Sequence, residues 1–77
     1  RQQLRQSQSL MQATRRAVEI AERGVTIANT RYTSGAGTIL EVTDAQMAQT
    51  QARLAYNQAV YDYLRAYFEY QQVMGVE

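Results

Sequence analysis

Apolar residues return every seven positions twice along this chain. Leu4, Met11, Val18, Val25 and Tyr32 form one column, and Leu40, Met47, Leu54, Tyr61 and Phe68 form another. A seven-residue repeat keeps one stripe of a helix turned toward one neighbour, so the two columns predict two long helices of coiled-coil type. Between them lies "TSGAGT", residues 33–38. It is the one plausible turn, because Gly35 and Gly37 can take positive φ without steric cost and Thr33 and Ser34 favour turns. The expected fold is all-α: an antiparallel coiled-coil helical hairpin with helix one over 1–33, a turn at 34–37 and helix two over 38–75. Each arm should reach roughly 50 Å at about 1.5 Å per residue.

A second apolar stripe runs along each helix. Helix one repeats Ala13, Ile20 and Ile27, two positions from the first column and so about 200° around the axis. Helix two repeats Ala45, Ala52, Ala59, Ala66 and Val73, flanked by Val42, Tyr56, Tyr63 and Tyr70, again roughly opposite its main column. A two-helix hairpin buries one face of each helix, which leaves the second stripes to meet other chains, other segments or lipid. Arg, Glu and Gln between the stripes argue against lipid. Two arrangements cover both stripes: a four-helix bundle of two hairpins, or a closed ring in which every helix has a neighbour on each side. The alanine column would let backbones approach closely there, with the tyrosines beside it filling the groove or turning their hydroxyls to water. Gly24, which costs about 1 kcal/mol against alanine inside a helix, marks either a close neighbour or a locally weak turn.

Composition removes most catalytic chemistry. Among 77 residues there is no cysteine, histidine, tryptophan or proline, and all eight basic residues are arginines. No thiol nucleophile, imidazole base, or thiolate or imidazole metal ligand is therefore available, and no metal or other cofactor is expected. Net charge is +1 with the signs interspersed, which is no footprint for nucleic acid. No apolar run approaches the roughly 18 residues of a membrane-spanning helix, and the N-terminus lacks the order of a signal peptide. The segment is expected to make no direct membrane contact.

At the turn, the glycines fit no phosphate loop. There is no third glycine, no lysine, and the segment follows a helix rather than a strand. "TILE", residues 38–41, fits a capping box, with Thr38 accepting from the Glu41 N–H and the Glu41 side chain reaching back to the N–H of Thr38. Asp44 follows three residues on, near the positive end of the helix dipole. A hairpin tip has no pocket and no partner base, so this acid pair does not point to an enzyme. If several hairpins converged in a ring, however, Glu41 and Asp44 would repeat around the axis, and rings of carboxylates favour cations over anions.

The run Arg31-Tyr32-x-x-Gly35-x-x-x-x-Leu40-x-Val42-x-Asp44-Ala45-Gln46, followed by Ala52-Arg53, Tyr56, Ala59, Asp62-Tyr63, Ala66 and Gly75, resembles the C-terminal repeat of TolC-like outer-membrane efflux proteins. The likeness covers about residues 17–75 and is strongest at the turn. It implies a trimeric channel in which a β-barrel in the Gram-negative outer membrane continues as a long α-helical barrel across the periplasm. This chain would be a fragment of that periplasmic barrel, part of a conduit for multidrug efflux or type I secretion. By the same resemblance Glu41, Asp44 and Tyr32 belong to the gate or constriction. Ser34, Gly35 and Ala36 would form the tip that docks a periplasmic adaptor (membrane fusion) protein and, through it, an inner-membrane pump. Two departures stand out. The family's best-known member carries an arginine where this chain has Gly37, and Thr43 replaces a common apolar residue.

The remaining features read as ordinary helix chemistry. Arg15, Glu19 and Arg23 are spaced for i, i+4 pairing on a solvated face. Met11 and Met47 sit in the main columns as core residues. The glutamine-rich start, "RQQLRQSQS", suits a polar helix facing water or a frayed end. A free-standing coiled-coil scaffold hairpin that dimerises into a four-helix bundle is the alternative to the channel. Either way the isolated chain should self-associate, most simply as a dimer, because its core is small.

Overall fold

The computed structural model describes the backbone of residues 2–76 and the side chains of residues 4–69. Two helices, α1 (Gln2–Thr33) and α2 (Ile39–Val76), lie side by side as an all-α hairpin. The molecule measures 64 × 14 × 12 Å, so it is a rod one helix pair thick. No proline interrupts either arm. Several threonines turn their hydroxyls back on the helix: Thr14 Oγ1 donates to the Leu10 carbonyl at 2.9 Å, Thr33 to Asn29 at 2.8 Å and Thr43 to Ile39 at 3.0 Å.

The seam between the arms is a heptad on both sides. On α1 the covered positions Leu4, Ser7, Met11, Thr14, Val18, Ala21, Val25 and Ala28 fall at alternating spacings of three and four, and Gly24 beside Val25 is also half-buried. The first column seen in the sequence thus supplies half of this face. On α2 the covered positions Val42, Ala45, Gln49, Ala52, Tyr56, Ala59, Tyr63 and Ala66 repeat that spacing, and Val60 and Asp62 beside them are also half-buried. The three buried apolar residues, Ala28, Val42 and Ala59, all lie on this seam.

This reverses the ranking of the two stripes on α2. The larger residues Leu40, Met47, Leu54, Tyr61 and Phe68 face outward, with Leu40 65 % and Leu54 63 % exposed. The alanine stripe packs inside. Met47 is therefore not a core residue of the hairpin, whereas Met11 is half-buried in its seam. Two physical causes act together. The short turn fixes the rotational phase at which α2 begins and so brings Val42, in its first turn, against the partner. Small residues then allow the close approach that a thin two-helix core requires, while Tyr56 and Tyr63 fill the space beside them. On α1 the second stripe behaves as its position suggests, for Ile20 and Ile27 are exposed. Tyr70 and Val73, assigned to the alanine stripe, lie outside the described side chains, as do Gln2 and Gln3 of the glutamine-rich start.

Charges also pair differently from the sequence spacing. Arg15, Glu19 and Arg23 are all exposed, but none joins an ion pair. Both ion pairs among the described residues cross between the arms. Arg53 Nη2 meets Glu22 Oε2 at 3.2 Å midway along the rod, and Arg31 Nε meets Glu41 Oε1 at 3.5 Å at the turn. Beyond the middle of α2, Tyr63, Tyr67 and Phe68 form an aromatic chain with centroid distances of 6.4 and 6.0 Å.

Candidate functional site at the hairpin tip

The turn is built on one carbonyl. Gly35, with φ of 88°, is the single residue of positive φ in the described chain, and it ends α1 in the left-handed conformation that a side chain would oppose. Its N–H donates to the Tyr32 carbonyl at 3.1 Å, and the Ala36 N–H donates to the Arg31 carbonyl at 2.8 Å. Those two bonds make a Schellman motif, which satisfies carbonyls that the end of a helix leaves unpaired. The Arg31 carbonyl also accepts the Gly37 N–H at 2.9 Å and the Ser34 hydroxyl at 3.0 Å.

Gly37 has ordinary φ, and its role is steric. A Cβ there would stand 2.7 Å from Glu41 Oε1 and 3.0 Å from Arg31 Cβ. The position is thus empty so that the two ends of the turn can meet.

The start of α2 is capped by one arm of the capping box. Glu41 N–H donates to Thr38 Oγ1 at 3.2 Å. The reciprocal arm is not made, because the Glu41 carboxylate turns instead to Arg31. Arg31 in turn donates from Nη2 to the Ala36 carbonyl at 3.2 Å. Arg31 therefore grips the turn through both its backbone and its guanidinium. It is missing from the tip residues singled out in the sequence, although a signal was present. Arg31 is the basic residue of the last turn of α1 and Glu41 the acidic residue of the first turn of α2, so opposite charges flank a turn that brings its ends together.

The remaining tip residues are placed as follows. Tyr32, 48 % exposed, continues the α1 heptad past the last covered position and projects beyond the seam. Ser34, Gly35 and Ala36 lie exposed at the apex. Asp44 is exposed one helical turn after Glu41, and its side chain makes neither a hydrogen bond nor an ion pair among the described residues. No charged or polar side chain is buried anywhere in the described chain, and no group of three or more acidic residues is close enough to hold a metal ion there. Neither described helix is apolar enough to cross a membrane.

The family profile described as outer membrane efflux protein matches residues 2–76. Neither a curated protein nor a solved structure matches the chain significantly. The matched family is one of transport channels of the Gram-negative outer membrane, not of enzymes. With both arms and the whole tip inside the match, the chain belongs to the outer membrane efflux protein family.

Proposed function

We propose that this chain is one hairpin of the periplasmic α-helical barrel in a trimeric outer-membrane efflux channel, with its turn at the periplasmic end. One observation carries the reading: each helix has two apolar faces and the hairpin covers only one of them. The column from Leu40 to Phe68 on α2, with Ile20 and Ile27 on α1, stays open along the rod. A barrel wall gives every helix a second neighbour, and the polar faces between the stripes suit water inside and outside such a wall.

In this reading Glu41, Asp44 and Tyr32 stand at a constriction where neighbouring tips converge. Ser34, Gly35 and Ala36 form the apex offered to a periplasmic adaptor protein, which links the channel to an inner-membrane pump. The hairpin is conduit wall, gate and docking tip, with no catalytic role.

Cysteine cross-linking tests the gate, since the segment itself contains no cysteine. In the membrane-assembled protein, with cysteines elsewhere removed, Asp44→Cys should yield inter-subunit disulfides on mild oxidation and lose efflux. Unlinked subunits with normal efflux would leave Asp44 as a helix-start charge and favour a scaffold hairpin that pairs into a four-helix bundle.

A further inference from the structure

Between Arg23 and Arg53 the chain carries three charged residues: Arg31, Glu41 and Asp44. The tip therefore has one cation for two acids, and the partner that cation takes decides where the remaining negative charge lies. The structure pairs Arg31 with Glu41 inside one hairpin, at 3.5 Å, while Asp44 stands alone. Two features favour that pairing. The guanidinium is fixed by its bond to the Ala36 carbonyl, and the missing side chain at Gly37 leaves the space that the Glu41 carboxylate occupies.

We propose that Arg31 is a positioning residue of the tip: it clasps Glu41 within its own hairpin, holds the Ser34–Ala36 apex, and leaves Asp44 as the one uncompensated charge the tip presents. The link to ion selectivity rests on the constriction reading above. The clasp itself does not. Because Arg31 also takes up Ser34, Ala36 and Gly37 through its carbonyl, one residue couples the shape of the apex to the charge of the opening.

The test uses the trimeric channel in planar bilayers, with reversal potential measured in a potassium chloride gradient. Asp44→Asn should lose cation preference. Arg31→Gln should raise it by freeing Glu41, and Glu41→Gln should lower it by freeing Arg31 beside Asp44. The double variant Arg31→Gln/Glu41→Gln should return to the wild-type value. If the double variant instead matches Glu41→Gln, and Arg31→Gln changes nothing, Glu41 acts independently and the clasp is overturned.

A second readout separates the clasp from the gate. Amide exchange at Ala36 and Gly37 should quicken in Arg31→Gln and in Gly37→Ala but not in Asp44→Asn. Faster exchange with unchanged reversal potentials throughout would sink the constriction reading and keep the clasp, whereas unchanged exchange would overturn the clasp.

Discussion

Truncating one residue on each face of α2 asks which stripe holds the hairpin together. Val42 is 5 % exposed and Leu54 is 63 % exposed. Val42→Ala removes two buried carbons, about 1.6 kcal/mol at roughly 0.8 kcal/mol each, plus a cavity term. Alanine returns roughly 0.5 kcal/mol of helix propensity, so the net loss should be about 1.5 kcal/mol. Leu54→Ala removes three carbons, about 2.4 kcal/mol if fully buried, but most of that surface is already in water. Its cost to a single hairpin should be under about 1 kcal/mol. The order reverses on association. The exposed share of Leu54, roughly 1.5 kcal/mol per protomer, is regained when a second copy covers the outer column, so losing it twice should weaken dimerisation roughly a hundredfold. Helical circular dichroism during urea unfolding, at concentrations where light scattering reports monomer, gives the first number. Scattering across a concentration series gives the second. If Leu54→Ala unfolds the monomer as readily as Val42→Ala, the alanine stripe is not the hairpin seam. If the chain stays monomeric at every concentration, the outer column is no association surface.

Three further substitutions probe the tip and the arm. Gly35→Ala forces a side chain into a φ of 88° and should destabilise the hairpin by about 1–2 kcal/mol. Gly24→Ala meets nothing within 4 Å and should stabilise the isolated hairpin by roughly 0.5–1 kcal/mol, so thermal melts of the pair should shift in opposite directions. Thr38→Ala deletes the cap on the Glu41 N–H and should cost about 1 kcal/mol, with faster amide exchange confined to the first turn of α2.

Local rules were enough to specify the helices, the turn and the presence of two apolar faces. A heptad states that a helix has a stripe, and Gly35 after Thr33 and Ser34 states where the chain can reverse, because both follow from backbone sterics and side-chain spacing within a few residues. The charge excess at the tip is legible in the same way, from three letters. Which stripe faces inward is not. On size alone Leu40, Met47 and Leu54 outrank Ala45, Ala52 and Ala59, yet the alanines are inside, because the turn sets the phase of α2 and two helices that touch along one line need small residues between them.

The capping box shows the same limit. Thr38 and Glu41 have the spacing for reciprocal bonds, but the Glu41 carboxylate meets Arg31 across the turn and makes no bond to the Thr38 N–H. Arg31 and Glu41 are ten positions apart and become neighbours only when the chain folds back. Parts within a helical turn of each other follow from local spacing and sterics; the pairing across the hairpin, and with it the solitary charge of Asp44, arises from the geometry of the bend.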